Sequence, residues 1–114
     1  MKLNEMKNIK RAETLALGTH EVVFDHIQYR VNAEEDVIGA FVHIVGFKSL
    51  YIPIFDDDRN FQLQFLIEQL GAETADEDEI NSFKGTVITV TRYPRGEYIN
   101  VSFNPNTAQA EEYA

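Results

Sequence analysis

The feature of this chain that most constrains its fold is the order of its apolar segments, in which five strand-like stretches flank one compact helix. The strand-like stretches are rich in β-branched and aromatic residues, and the helical stretch carries a wide apolar stripe. They are 20–31, 37–47 and 50–55, then the helix 60–70, then 86–93 and 98–103. This order predicts an all-β protein with one or two helices, built as a five-stranded Greek-key barrel with the helix between strands three and four.

The first strand changes the phase of its side chains near its middle. Val22 and Phe24 share one face, whereas Ile27 and Tyr29 have the other parity, so the change falls at 25–26. Because side chains alternate between the two faces of a strand, this slip predicts either a β-bulge or a long, strongly bent strand shared between two ends of a small barrel.

Strands two and three separate aliphatic from aromatic residues by parity. The aliphatic parity includes Ile44, Ile52 and Ile54, and the aromatic parity holds Phe41, Phe47, Tyr51 and Phe55. If the aliphatic side chains face the interior, the aromatic ones face outward. In a barrel of the oligonucleotide/oligosaccharide-binding (OB) type, this outer face of strands two and three binds single-stranded nucleic acid. Stacking of a base on an aromatic ring contributes about 1–3 kcal/mol and tolerates any sequence.

Basic side chains fall near the same predicted face, and arginine and tyrosine interleave in the hairpin between strands four and five. The candidate nucleic-acid-binding residues are Arg30, Phe41, Phe47, Lys48, Tyr51, Phe55, Arg92, Tyr93, Arg95 and Tyr98. Alternatives stay open at this point. Phe41 and Phe47 also fit a core position or one covered by the N-terminal arm, and Arg92 and Arg95 also fit a solvated hairpin whose turn is 94–96.

No catalytic motif stands out. The acidic triplet 56–58 lacks EF-hand spacing and precedes the helix, so we expect it to cap the helix. His20, His26 and His43 are scattered, with no ligand spacing for zinc. The serines have no Gly-x-Ser-x-Gly context, and no phosphate-binding glycine loop is present. We therefore expect a protein without catalysis, cofactor or metal.

The length of 114 residues fits one domain. We divide the chain into an N-terminal arm (1–17), the barrel (18–105) and a short acidic tail (106–114). It has no cysteine, which fits a reducing compartment. The charged N-terminus lacks the apolar region of a signal peptide, and no apolar run is long enough to span a membrane. The sequence therefore predicts a cytoplasmic protein without a membrane partner.

The net charge of −9 comes from the body of the chain. Residues 20–105 hold 15 acidic and 6 basic side chains, whereas the first 19 residues hold four basic and two acidic ones. This balance argues against a sequence-independent binder of duplex DNA, whose affinity depends on neutralised phosphates. It argues less against a binder of single strands, which needs one basic groove and stacking aromatics.

Four segments follow the pattern of a known family. They are the opening strand 18–24, the leucine-rich helix and glycine 61–71, the strand entry 83–90 and the closing strand 98–105. In these segments the chain resembles the small OB-fold single-stranded-DNA-binding proteins of bacteriophages and mobile elements, although Lys84 precedes Gly85 where the family's lysine follows the glycine. The resemblance implies binding of single-stranded DNA in phage or mobile-element replication or recombination, inside a bacterial host cell. It also implies that the tail, with Glu111 and Glu112, recruits replication proteins.

A different class of function also fits the charge. An acidic protein with an aromatic face suits a protein–protein interaction module, or a DNA-mimic inhibitor, that docks on a basic DNA-processing enzyme. The aromatic face would also serve a homo-oligomer. The sequence leaves DNA and RNA equally open as the nucleic acid.

Overall fold

A computed structural model of the protein describes residues 12–57 and 59–106. The protein is mostly β, with five antiparallel strands in a curled half-barrel sheet and two short helices. The strands are β1 (Gly18–Val31), β2 (Val37–Ile44), β3 (Leu50–Pro53), β4 (Val87–Arg95) and β5 (Tyr98–Ser102). The helices α1 (Phe61–Leu70) and α2 (Glu77–Asn81) follow β3 in the chain and precede β4. The tail from residue 107 onward and most of the predicted arm lie outside the described residues.

The strand β1 is shared by both halves of the sheet. Residues 18–23 pair with β4 and residues 24–31 pair with β2, which gives the strand order β3-β2-β1-β4-β5. The register shifts between Phe24 and His26, so Asp25 is the extra residue of a β-bulge. The predicted change of phase at this point is confirmed, and the bulge lets one strand turn from one half of the sheet to the other.

The aliphatic parity of β2 and β3 faces the core, as predicted. Val42 and Ile52 are buried, whereas Phe41 is half-buried and Tyr51 is exposed. The helices complete the same core with Leu63, Leu66 and Leu70 of α1 and Ile80 of α2. Leu15, which lies before the predicted barrel boundary, is buried in this core as well.

The sheet is open, with β3 and β5 at its two edges in the described residues. Pro53 lies in the edge strand β3, which accords with a residue that cannot donate a backbone hydrogen bond. On β5, Phe103 beyond the strand end is buried and Val101 packs on the core, but Ile99 is 46% exposed. Ile99 has the same parity as Val101 and Phe103, so the burial of this face does not extend to the start of β5.

Two local predictions need correction. The strand β4 continues through Pro94 and Arg95, so the hairpin turn is only Gly96–Glu97, with Gly96 at a φ of 63°. The N-cap residue of α1 is Asn60, and Asp57 accepts instead from the backbone N–H and Nε of Arg59. The capping role is thus wrong for Asp57, while Asp58 lies outside the described residues.

Two glutamines of α1 fasten the helix to the sheet. Gln69 donates from Nε2 to the carbonyl oxygens of Thr89 (2.8 Å) and Phe103 (2.6 Å), and its Oε1 accepts from the Thr89 N–H (2.7 Å). Two turns earlier, Gln62 Oε1 accepts from the Phe103 N–H at 2.6 Å. These side chains satisfy backbone groups of β4 and the end of β5 that would otherwise be desolvated without partners.

The substitution Gln69→Leu tests this fastening. It removes three hydrogen bonds from part-buried backbone groups, so we expect the free energy of unfolding to fall by about 2 kcal/mol or more. The matched control is Gln64→Leu, at an exposed position of the same helix, with an expected change within about 0.5 kcal/mol. Urea unfolding measures both, and equal losses would contradict the role of Gln69.

Candidate nucleic-acid interface

The opening between the edges β3 and β5 holds two adjacent clefts that share Tyr51, Ile99 and Val101. We call the first the arm-side cleft, with a volume of about 250 Å³, and the second the helix-side cleft, with about 230 Å³. Tyr51 is 39% exposed and belongs to both linings. Because they share these residues, the two clefts lie next to each other at the open edge of the sheet, and we call the pair the groove.

The arm-side cleft is built where residues 12–15 attach to the sheet. Glu13 forms a parallel bridge with Phe47, and its carbonyl accepts from the Lys48 N–H at 2.9 Å. The Arg92 guanidinium donates to the carbonyl oxygen of Leu15, whose side chain is buried. The chain before β1 therefore forms one wall of this cleft and holds the Arg92 side chain against it.

The helix-side cleft lies between the end of β3, the hairpin of β4 and β5, and the start of α1. Gln62 reaches it from α1, and Tyr93, Arg95 and Asn100 reach it from the hairpin. Tyr93 and Asn100 are cross-strand partners in the β4–β5 register, which places them side by side. Amide, phenol and guanidinium groups thus surround this cleft, and all of them can form hydrogen bonds to a ligand.

The charge of the groove differs from that of the rest of the protein. Among the described residues that line the two clefts, none is acidic, whereas Lys48, Arg92 and Arg95 are basic. Two of the other described basic residues are in ion pairs away from the clefts, Arg59 with Asp57 at 2.7 Å and Lys84 with Asp25 at 3.2 Å. In a chain of net charge −9, the side chains that line the two clefts therefore include no carboxylate.

Tyr51 is placed by its neighbours on the outer face of β2. It pairs with Phe41 in the β2–β3 register, and the two ring centroids are 5.1 Å apart with the planes tilted by 54°. Its ring also covers Gly39, where an added Cβ would lie 2.0 Å from the tyrosine oxygen. The missing side chain at Gly39 is therefore what allows the Tyr51 ring to lie across β2.

Five of the predicted site residues meet in the groove: Lys48, Tyr51, Arg92, Tyr93 and Arg95. The others lie outside the two linings. Phe41 supports Tyr51, and Phe47 is half-buried against the core beside Glu13. Phe55 is exposed beneath the Arg59 guanidinium, 5.3 Å from its ring centroid.

Arg30 and Tyr98 are exposed at opposite parts of the sheet. Arg30 is the partner of Gly39 near the end of β1, and Tyr98, which is 74% exposed, is the partner of Arg95 beside the hairpin turn. Their roles in binding stay predictions.

Sequence reasoning missed several residues of the groove, among them Thr14, Leu15, Gln62, Ile99 and Asn100. Gln62 carried a usable signal, since it is seven residues before Gln69 on the same helix and the two side chains therefore share a face. No sequence signal indicated that Thr14 and Leu15 line a cleft, because their position depends on contacts with residues more than thirty positions away in the chain.

A cluster of polar side chains, separate from the groove, lies at the β1 bulge. The rings of His26 and His43 stack with centroids 4.1 Å apart and planes 8° from parallel, and His26 Nδ1 is 2.5 Å from the Asp25 carboxylate. The hydrogen bonds from His26 and Lys84 hold the pKa of Asp25 below its ordinary value. Burial and then the neighbouring His26 hold the pKa of His43 below its ordinary value, against the opposing effect of Asp25.

Comparison of the chain with protein-family models and with curated proteins finds no match. Within the part of the chain that the structure describes, no group of three His, Cys, Asp or Glu side chains is arranged to hold a metal ion. The helices of that part are also too short or too polar to cross a membrane.

The contact between Gly39 and Tyr51 predicts a non-additive pair of substitutions. Gly39→Ala should lower the free energy of unfolding by about 1 kcal/mol, because the new methyl group displaces the tyrosine ring. In a Tyr51→Ala background the same change should have almost no effect, since the clashing atoms are gone. Urea unfolding of the four proteins measures the coupling, and additive effects would contradict the contact.

The histidine pair predicts a pH dependence of stability. Because the fold lowers the pKa of His43, its imidazole is protonated at a higher pH in the unfolded chain than in the folded protein. The neutral ring therefore contributes fully to the free energy of unfolding above about pH 6.5, and this contribution is lost as the pH falls further. His43→Phe keeps a ring against His26 but cannot titrate. Between about pH 7.5 and about pH 5.5 the variant should lose less unfolding free energy than the wild type. Equal losses in thermal or urea unfolding would remove His43 as the cause.

Proposed function

We propose that the protein binds single-stranded nucleic acid, with single-stranded DNA as its main ligand, and that it does so without catalysis. The observation that carries this proposal is a groove with no acidic lining residue and three basic ones, centred on an exposed tyrosine, in an otherwise strongly acidic chain. A polyanion is repelled by most of such a surface, and the groove is where this repulsion is relieved.

The geometry suggests how a strand would lie. A base stacked on Tyr51 would have the arm-side cleft on one side and the helix-side cleft on the other, so that successive bases follow the edge of the sheet. Lys48 and Arg92 would meet phosphates at one end, and Arg95 would do so at the other. Each cleft is smaller than the roughly 300–1,000 Å³ of a typical small-molecule pocket. This size favours successive bases of a nucleic-acid strand over a single enclosed ligand.

The proposal includes the finer assignment of the fold. The order of the strands around β1, with α1 between β3 and β4, supports an OB-type Greek-key barrel that is open between β3 and β5. With the resemblance to phage and mobile-element proteins, it supports a role in DNA replication or recombination in the cytoplasm of a bacterial host. Arg30, Phe41, Phe47, Phe55 and Tyr98 are then outlying or supporting contacts of the same strand.

Fluorescence anisotropy with labelled oligo-dT tests the proposal. At about 50 mM salt the wild type should bind, and Tyr51→Ala should weaken binding about tenfold, which corresponds to about 1.4 kcal/mol of lost stacking. The matched control is Phe61→Ala, which removes a ring that is 57% exposed on α1 but lines neither cleft, and it should bind like the wild type.

The acidic surface supports a second candidate, docking on a basic DNA-processing enzyme. The exposed acidic side chains of 73–78, around the start of α2, form a surface of that charge away from the groove. Wild-type protein that shows no oligonucleotide affinity at low salt, yet is retained by a purified basic nuclease, would contradict the first proposal and favour this one.

A further inference from the structure

We propose that Gln62 selects the base that occupies the helix-side cleft, and that it favours a keto oxygen over an amino group at the base edge farthest from the sugar. This inference rests on the proposed function and names the substrate preference of the same site. The favoured bases are thymine and guanine, whose exocyclic oxygens O4 and O6 accept a hydrogen bond at that edge. Cytosine and adenine carry amino groups there, and these groups donate.

The first argument is that a backbone contact fixes the polarity of the Gln62 amide. A backbone N–H only donates, so its partner in the 2.6 Å contact from Phe103 is the amide oxygen Oε1. The amide nitrogen Nε2 has no hydrogen-bond partner within residues 12–57 and 59–106. Since Gln62 lines the helix-side cleft, what it offers a ligand there is its donor.

The second argument is the cost of reversing this amide. Phe103 is fully buried, and its carbonyl oxygen accepts from Gln69 of the same helix at 2.6 Å. A flipped Gln62 would place its own N–H groups against the Phe103 N–H and leave that buried donor without an acceptor. The polarity that Gln62 presents is therefore set by the fold before any ligand binds.

The other polar side chains of the helix-side cleft adapt to their ligand. The Tyr93 hydroxyl donates and accepts, and the Asn100 amide does both and can turn to suit its partner. Neither side chain is hydrogen-bonded to another part of the described chain, so nothing there fixes its polarity. Gln62 is thus the residue of this cleft whose hydrogen bonding distinguishes one base from another.

The third argument is the depth at which Gln62 lies. It is half-buried and reaches the cleft from α1, whereas Arg95 of the hairpin is exposed. A nucleotide whose phosphate meets Arg95 would hold its sugar at the outer side of the cleft and the opposite edge of its base at Gln62. Keto and amino bases differ at that edge. Nε2 would pair with O4 of thymine, but it would meet the amino group of cytosine and leave both donors without acceptors.

Fluorescence anisotropy with labelled homopolymers of about ten deoxynucleotides tests this inference in the wild type. At about 50 mM salt, oligo-dT should bind about fivefold more tightly than oligo-dC, the ratio expected from one neutral hydrogen bond. Both bases are pyrimidines, so the difference in stacking area is small. Oligo-dU lacks the methyl group of thymine but keeps O4, and it should bind like oligo-dT.

The substitution Gln62→Glu tests the residue itself. The carboxylate still accepts from the Phe103 N–H but no longer donates, so oligo-dC should now bind more tightly than oligo-dT. Both affinities should fall, because the new charge repels the strand, and the ratio of the two is the readout. The matched control Gln64→Glu adds the same charge at an exposed position of α1 outside both clefts and should keep the wild-type ratio. Urea unfolding of both variants checks that the fold is retained.

The outcomes separate this inference from the proposed function. Wild-type protein that binds oligo-dT and oligo-dC equally would overturn the selection by Gln62 and leave the groove as the binding site. A wild-type preference that persists in Gln62→Glu would overturn it as well. Oligo-dU that binds like oligo-dC would do the same, because the methyl group would then be the recognised feature. The absence of binding to all three oligonucleotides would overturn this inference together with the proposed function.

Discussion

The bulge at Asp25 is the constraint on which the rest of the structure depends, because it lets β1 belong to both halves of the sheet. Before the bulge β1 pairs with β4, and after it β1 pairs with β2. A flat strand of this length would extend the sheet in one plane, whereas the bulge increases the local bend and twist. The sheet therefore curls until its edges, β3 and β5, line a common opening. The groove exists because these edges approach each other without pairing in the described residues.

The chemistry of this opening follows from what each edge brings to it. The strand β3 supplies Tyr51, held by Phe41 and by the bare backbone at Gly39. The β4–β5 hairpin supplies Arg92 and Arg95, and the chain before β1 fixes Arg92 through a carbonyl oxygen. No acidic residue lines the two clefts, so a polyanion would be repelled less there than at the acidic surface of 73–78. The interface we propose is thus a local exception to the charge of the chain, and its binding should be sensitive to salt.

The sequence predicted those features that depend on neighbouring residues. The alternation of side chains located the slip at 25–26 and the outer face of β2 and β3 that holds Phe41 and Tyr51, because period-two patterns are local. It did not place Phe47, which lies beyond β2 and packs against the core. It missed features set by contacts between distant parts of the chain. The hydrogen bonds of Gln69 to Thr89 and Phe103 span 20 and 34 residues, and the bond from Arg92 to Leu15 spans 77. The capping role of Asp57 was misjudged because its carboxylate accepts from Arg59 instead, a choice between two nearby partners that propensity does not decide.

The most direct test of the central claim, that single-stranded nucleic acid lies in the opening between β3 and β5, is an NMR titration of the isotope-labelled protein with oligo-dT. If the strand lies in this opening, the largest amide shift changes fall on 48–52, Arg92, Tyr93, Arg95 and 99–101, with little change at 73–79. Saturable changes confined to 73–79, or no changes at concentrations where anisotropy reports binding, would contradict it.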